Sequence, residues 1–206
     1  MGTVQRRERE REELRRKILD AARELFAREG YERVTMRAIA QAIEYSPTAI
    51  YHHFEDKDDL VMALCEDDFG RLLGALRATP PPEDAVERVR QLGRAYARFA
   101  LEHPNHYRFM FMTPNKLEKP REVHSPGQQA FGLVRSAVAD ALERGQLQAR
   151  DATTAAQVLW SGLHGAVSLL ITLRPEHWPD APASPDLIDQ VIEHGIRGYL
   201  PPKPAR

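Results

Sequence analysis

Residues 35–57 have the sequence TMRAIAQAIEYSPTAIYHHFEDK, and this stretch decides the fold. Apolar side chains recur in it at the three- and four-residue spacing of one helix face. Thr35 can cap a first short helix, and Ser46 can cap a second one that opens with Pro47. Two short helices joined by a tight turn are the layout of a helix-turn-helix, whose second helix lies in the DNA major groove.

The side chains left outside this small core are small, aromatic or polar. Ala49, Thr48 and His52 are expected near the start of the second helix, where base edges are met, and Tyr51 and His53 are expected to reach phosphates. A generic helical hairpin with these residues on its surface explains the spacing equally well, because the geometry is common among helical folds. Spacing alone therefore leaves both interpretations open.

Composition indicates an ordinary soluble protein of one or two domains. The chain has 206 residues, of which 42% are hydrophobic and 29% charged. The single Cys65 excludes an internal disulfide and a four-cysteine zinc site, and no secretory signal pattern is seen, so a cytoplasmic location is expected. Residues 1–60 carry 12 Lys and Arg against 13 Asp and Glu, a net charge of −1. Any DNA-binding face must therefore be a local patch.

Helical periods recur along the whole chain, and no segment alternates like a strand. The sequence predicts nine helices. The first is long and ends near Gly30, two short helices cover 35–43 and 46–52, and the fourth runs from Asp56 to about Ala78. The fifth stops before Pro104, a short sixth covers 106–112, and the last three begin at Ser125, Asp151 and Ser184. Residues 113–124 and 174–183 are predicted to be loops, and the tail 201–206 to be disordered.

One apolar segment, residues 155–173, has the length of a membrane-spanning helix. It contains Gln157, Ser161, His164, Ser168 and Thr172, which are rare in such helices. We therefore expect a helix that is buried on nearly all sides inside a helical protein.

A family resemblance favours the DNA-binding interpretation. The sequences ILDAARELFAREGY from residue 18, TMRAIA from residue 35 and IYHHFEDKDDL from residue 50 closely resemble the N-terminal domain of the tetracycline-repressor (TetR) family. The resemblance implies an all-α, nine-helix dimeric transcription regulator, most often a repressor. It implies a DNA-binding domain over residues 1–60 and an effector-binding and dimerisation domain over residues 61–206. The residues expected to bind DNA are Thr35, Arg37, Tyr45, Ser46, Pro47, Thr48, Ala49, Tyr51, His52, His53 and Lys57.

The turn between the two short helices departs from the family pattern. Where the family usually has Ala-Gly-Val-Ser, this chain has Ile43-Glu44-Tyr45-Ser46. A positive φ at the second position suits Gly, whereas Glu there would carry strain of about 1 kcal/mol. Either the turn has a different shape or it tolerates this strain. Tyr45 in place of Val is able to reach further toward DNA.

The N-terminal segment, residues 5–17, contains seven basic and four acidic residues. One interpretation is an arm that enters the minor groove. The other is a solvated extension of the first helix with ion pairs four residues apart, and the mixed charge favours it.

The second half of the chain contains the sequence WSGLHG at residues 160–165, which resembles a TetR subgroup with a Trp…His-Gly signature. Trp160 and His164 share one helix face. They either line an effector pocket or pack in an ordinary core, and core packing is the commoner role. The candidate effector-binding residues are Tyr96, Phe99, Met110, Phe111, Phe131, Trp160 and His164. We expect the last two helices to form the dimer interface, where Gly162, Gly165 and Gly195 would permit close approach.

The resemblance therefore implies a homodimeric repressor that a small-molecule effector releases from a palindromic operator. No cofactor, metal, membrane or enzymatic activity is expected, because no catalytic or metal-binding motif is present. The alternative is a helical ligand-binding or interaction protein that has lost sequence-specific DNA binding, which the near-neutral first 60 residues and the missing turn Gly favour.

Overall fold

The computed structural model describes residues 3–112, 125–173, 175–178 and 184–202. In these ranges it contains nine α-helices and one 3-10 turn, which confirms the all-α prediction. The helices are α1 (Thr3–Glu29), α2 (Met36–Ala42), α3 (Pro47–Tyr51), α4 (Lys57–Arg77), α5 (Ala85–Glu102), α6 (Pro104–Met112), α7 (Pro126–Glu143), α8 (Ala152–Thr172) and α9 (Ser184–Arg197). The predicted loop 113–124 and the end of the predicted tail, 203–206, lie outside the described residues.

Two predicted boundaries were wrong. Helix α6 begins at Pro104, two residues before the predicted start, because Pro is tolerated in the first turn of a helix. Part of the predicted loop 174–183 forms the 3-10 turn Pro175–His177.

Local capping sets most of the helix starts. Asp56 accepts a hydrogen bond from the amide of Asp59 at 2.8 Å, at the start of α4. Ser125 and Asp151 cap α7 and α8 in the same way, as predicted. Helix α1 ends at Glu29, and Gly30, which follows it, has a φ of 81°. A positive φ is unfavourable for other residues, so Gly stops the helix there.

The chain divides into two compact units. The first contains residues 1–69 and 105–122, and the second contains residues 70–104 and 123–206. The core of the first unit is built from one face of α1 with the apolar sides of α2, α3 and α4. Its buried side chains include Ile18, Ala22, Leu25, Ile39, Ile50, Leu60 and Leu64.

A buried charged cluster ties α1 to α4 and α6 within the first unit. Arg23 donates hydrogen bonds to Asp20, Asp67 and Asp68, and Asp68 is fully buried. The Nδ1 atom of His106 lies 2.8 Å from the Oδ1 atom of Asp68. The positive charge of Arg23 and the hydrogen bonds to Oδ1 offset part of the desolvation cost of the Asp68 carboxylate, whose Oδ2 atom is buried without a hydrogen bond.

The second unit packs α5, α7, α8 and α9 together. Arg90 donates to Glu193 at 2.7 Å and Arg94 donates to Asp189 at 2.7 Å, so two ion pairs join α5 to α9. A Cβ atom built at Gly195 would lie 2.9 Å from Leu159 Cδ2. Gly195 therefore permits close approach of α9 to α8 within one chain.

Helix α8 is more exposed than its sequence predicts. It is the one helix of the described chain that is long and apolar enough to cross a membrane, yet only 33% of its most apolar stretch is buried. Val158, Leu169 and Leu173 have 53%, 46% and 40% of their surface exposed. The prediction of burial on nearly all sides was therefore wrong for the single chain. The sequence pattern marked an apolar helix correctly, but an apolar face left uncovered within one chain gives the same pattern.

Candidate nucleic-acid interface

Helices α2 and α3 form the predicted pair, each with a side-chain cap. The hydroxyl of Thr35 accepts a hydrogen bond from the amide of Ala38 at 3.1 Å. The hydroxyl of Ser46 accepts from the amide of Ala49 at 3.3 Å, and Pro47 occupies the first turn of α3. Both caps use amides that a helix start leaves without internal partners. These two caps fix where each short helix begins.

Of the two alternatives for the turn between them, the structure has the strained backbone. Glu44 has a φ of 60°, the left-handed conformation that suits Gly. Its amide donates to the carbonyl of Gln41 at 3.1 Å, and the amide of Tyr45 donates to the carbonyl of Ala40 at 3.0 Å. The turn therefore keeps its hydrogen bonds although the expected Gly is missing.

Helix α3 is anchored on one side and exposed on the other. Ile50 is fully buried in the core of the first unit, whereas Tyr51 and Tyr45 have 53% and 42% of their surface exposed. Thr48 and His52 are also exposed, and Ala49 is half-buried. An exposed aromatic and polar surface on a short anchored helix suits contacts to the edges and backbone of DNA.

The residues predicted at the start of α2 lie on the surface. Thr35 and Arg37 are both exposed. Thr35 already uses its hydroxyl oxygen as the cap of α2, and its hydroxyl hydrogen is directed by whichever acceptor is near. The first turn of α2 thus offers amide and hydroxyl donors that suit a phosphate oxygen.

Lys57 has a structural contact that its sequence position did not predict. Its Nζ atom donates a hydrogen bond to the backbone carbonyl of Tyr31 and lies 4.0 Å from the centre of the Tyr31 ring. The Tyr31 hydroxyl in turn donates to Asp58 at 2.5 Å, and this bond raises the pKa of Tyr31 to about 12. Lys57 therefore joins the start of α4 to the segment that follows α1.

His53, two residues after the end of α3, is half-buried and lies near positively charged side chains. Burial lowers the pKa of His53, and the nearby guanidinium groups of Arg11 and Arg15 lower it further. The guanidinium carbon of Arg15 lies 5.7 Å from the centre of the Phe54 ring. Arg11 and Arg15 belong to the N-terminal segment 5–17 but are not among the residues that were individually expected to bind DNA. Their four-residue spacing was the available signal, but it required knowing which way α1 faces.

A second candidate site lies in the second unit. The hydroxyl of Tyr96 and the Nδ1 atom of His164 are joined by a hydrogen bond of 2.8 Å. The rings of Trp160 and His164 lie 4.9 Å apart at 35°. Burial lowers the pKa of His164, so its imidazole is neutral at pH 7. The hydrogen-bonded pair of Tyr96 and His164 lies beside an indole. Such a pair suits either ligand binding or an ordinary hydrogen bond between two helices.

The structure brings together three of the seven predicted effector residues. Phe99 is buried in the second unit with its ring 5.2 Å from that of His103, and Phe131 is half-buried there. Met110 and Phe111 belong instead to the first unit, where Phe111 meets the ring of Phe69 edge-on at 5.5 Å. In the described part of the chain, no group of three or more His, Cys, Asp or Glu residues is arranged to hold a metal.

Comparison with known proteins matches both halves of the chain to family models. Residues 18–64 match the bacterial regulatory proteins of the tetR family, and residues 89–194 match the tetracyclin repressor-like C-terminal domain. The HTH-type transcriptional repressor Rv1474c of Mycobacterium tuberculosis is 52% identical over 58 residues, which are 28% of this chain and 31% of that protein. The HTH-type transcriptional regulator UidR of Escherichia coli is 40% identical over 63 residues, 31% of this chain and 32% of that one. The matched region thus spans less than a third of each of these curated relatives.

Solved structures share the fold over nearly the whole chain. A protein of unknown function from Rhodococcus sp. RHA1 has a TM-score of 0.77 and 25% identity, with 91% of this chain and 96% of that one covered. A TetR family transcription regulator from Marinobacter aquaeolei has a TM-score of 0.74 and 17% identity, with 95% and 98% covered. With a family model matched over more than half of its length and a capped helix-turn-helix in place, this chain belongs to the TetR family of bacterial regulatory proteins.

Proposed function

We propose that this protein is a homodimeric transcriptional repressor that binds a palindromic operator and is released from it by a small-molecule effector. The observation that supports DNA binding most directly is helix α3, which is capped by Ser46, anchored by buried Ile50 and exposes Tyr51. In this function α3 lies in the major groove, while Tyr51, His53 and the first turn of α2 bind phosphates. The two half-sites are then one helical turn or a multiple apart, with one turn about 34–36 Å.

We propose that residues 1–60 form the DNA-binding domain and residues 61–206 the effector-binding and dimerisation domain. The exposed Val158 and Leu169 of α8, with Leu173 directly after it, support dimerisation through α8 and α9, because a second copy would remove this apolar surface from water. We also propose a cytoplasmic, non-enzymatic role, which the family membership supports, with α8 acting as an interface helix rather than a membrane span.

The effector site is proposed at the Tyr96, His164 and Trp160 cluster. A neutral His164 and the Tyr96 hydroxyl can each exchange a hydrogen bond with a ligand polar group, while the indole of Trp160 provides apolar contact. An effector acts there only through a difference in affinity between the DNA-bound and released states.

The test is binding of the purified protein to duplex DNA from its own promoter region, measured by fluorescence anisotropy at 50 and 200 mM salt. Tyr51→Phe and Thr48→Ala are compared with Thr153→Ala, an exposed control on α8. We expect selective, salt-sensitive binding that both α3 variants weaken and the control retains. Loss of selectivity in Thr48→Ala alone would identify Thr48 as a base-reading side chain.

A second candidate function is a helical ligand-binding or interaction protein that has lost sequence-specific DNA binding. The net charge of −1 over residues 1–60 favours it. A folded wild-type dimer without selective, salt-dependent DNA binding would support this candidate. The Tyr96, His164 and Trp160 cluster would then be the first site to screen for ligands.

A further inference from the structure

Helix α1 extends well beyond the core that it helps to build. It begins at Thr3, but its first fully buried residue is Ile18, and residues 4–13 are all exposed. The extension is helical throughout, with an Arg6–Glu10 ion pair of 2.8 Å on its surface. An α-helix is about 10–12 Å across with side chains, whereas the DNA minor groove is about 6 Å wide. The extension therefore does not suit insertion into the minor groove.

Three arginines of this extension lie on one face. Arg7, Arg11 and Arg15 follow one another at four-residue steps, each of which turns the helix by about 40°. Ile18 and Ala22, which point into the core, fall in the same sector of the helix. The arginines thus continue the core-facing side of α1 past the end of the core. We call Arg7, Arg11 and Arg15 the basic stripe.

Contacts at the C-terminal end of the stripe show which side of the first unit it faces. The Arg15 guanidinium lies over the ring of Phe54, and Arg11 and Arg15 are both close enough to His53 to lower its pKa. His53 and Phe54 lie two and three residues after the end of helix α3 at Tyr51. Glu12 is the acidic residue that acts on His53 from the edge of the stripe. The stripe therefore runs outward from the end of the recognition helix.

We propose that the basic stripe binds the phosphate backbone that flanks the half-site contacted by α3. The inference rests on the DNA binding proposed above and adds Arg7 and Arg11 to the interface. Positively charged arginine side chains on a helix attract the negatively charged phosphate backbone, and such contacts add affinity without reading sequence. They would also give the first 60 residues the local basic patch that DNA binding requires, because Arg7, Arg11 and Arg15 lie on one face although the net charge is −1.

The test compares two variants that remove equal charge from opposite faces of α1. Arg7→Gln with Arg11→Gln removes two members of the stripe, and Arg15 is left in place because of its contact with Phe54. Arg9→Gln with Arg16→Gln removes two exposed arginines from the other side of the helix. Circular dichroism melting of both variants establishes that they remain folded.

The dissociation constant for the operator duplex is measured from 50 to 200 mM salt. We expect the stripe variant to lower the slope of log affinity against log salt by about 0.9 for each lost phosphate contact, up to about 3.6 for four contacts in a dimer. The ratio of operator to scrambled-DNA affinity should stay unchanged. Removal of flanking base pairs should weaken wild-type binding and leave the stripe variant unaffected.

The outcomes separate this inference from the proposed function. Wild-type protein without salt-dependent DNA binding overturns both. Wild-type protein that binds selectively, with equal salt slopes in the two double variants, overturns the proposed role of the basic stripe and leaves the proposed function intact. Loss of net charge would then explain the change in both variants. A stripe that docks an acidic protein instead of DNA would leave the operator affinity of the stripe variant at the wild-type value, which also counts against the proposal.

Discussion

The ammonium group of Lys57 donates a hydrogen bond to the backbone carbonyl of Tyr31, 26 positions earlier in the chain. The same group lies 4.0 Å from the centre of the Tyr31 ring and 5.9 Å from that of Phe26. A residue expected to contact phosphate therefore also holds the start of α4 against the end of α1. We therefore expect its loss to lower the stability of the first unit.

We expect Lys57→Met to lower the free energy of unfolding by about 1–3 kcal/mol, because it removes a charged hydrogen bond and a cation–π contact. Urea denaturation followed by circular dichroism measures the change. Lys17→Met, at an exposed position of α1, is the control and should shift stability by less than about 0.5 kcal/mol. Equal stability of Lys57→Met and wild type would show that the Tyr31 contact contributes nothing.

Replacement of Glu44 by Gly should stabilise the protein. Glu44 has a φ of 60°, which costs about 1 kcal/mol for a residue with a Cβ atom and little for Gly. Thermal denaturation of Glu44→Gly should therefore show a higher midpoint. Glu44→Ala removes the same charge but keeps the strain, so it should not reproduce the gain. A gain in Glu44→Ala of the same size would assign the effect to charge.

Disruption of the buried charged cluster should be far more costly than loss of a surface ion pair. Arg23→Met leaves the fully buried Asp68 without its main compensating charge, and we expect a loss of about 3–5 kcal/mol. Arg28→Met removes an exposed pair with Glu29 and should cost less than about 1 kcal/mol. Chemical denaturation of both variants measures the contrast. Similar losses in the two would mean that solvent screens the Arg23 cluster.

His164 should make stability depend on pH on the acid side. Burial lowers its pKa in the folded protein below the unfolded value of about 6.5, so folding favours the neutral imidazole. Its contribution is fully present above pH 6.5 and is lost as the pH falls through the folded pKa. Denaturation at pH 7.5, 6.5 and 5.5 should therefore show a smaller acid-side loss in His164→Gln than in wild type. His53 titrates in the same direction and remains in both proteins, so it does not affect this difference.

The sequence predicted most helix starts because capping is local. Thr35, Ser46, Asp56, Ser125 and Asp151 each bond an amide three residues later, so each cap is visible in four consecutive letters. The positive φ at Glu44 was one of two alternatives, and it came from comparing four consecutive residues with the family pattern. These features need no knowledge of the rest of the fold.

Contacts between distant residues were not predictable in this way. Arg23 and Asp68 are 45 positions apart, and Tyr96 and His164 are 68 apart. Nothing in a single sequence pairs them, since many other charged and polar residues have the same local pattern. The exposure of α8 was missed for a related reason. Periodicity indicates an apolar face, but it does not say whether the same chain covers that face.

The candidate interface was predicted in part. The outward positions of Tyr45, Thr48 and Tyr51 follow from helical spacing around buried Ile50. Packing of α1 against α3 and α4 determines the contact of Lys57 with Tyr31. The same packing brings Arg11 and Arg15 near His53. That packing is a property of the folded first unit and not of any local motif.

Helix α3 spans only Pro47–Tyr51, and its shortness affects how often its exposed surface is formed. Isolated helices shorter than about 12–15 residues are marginal in water, so α3 exists because Ile50 is held in the core. The amides of α3 should therefore exchange with solvent deuterium whenever the Ile50 side chain leaves the core. A change that touches no nucleic acid, such as Ile50→Val, would then reduce operator occupancy through the population of molecules in which α3 is formed.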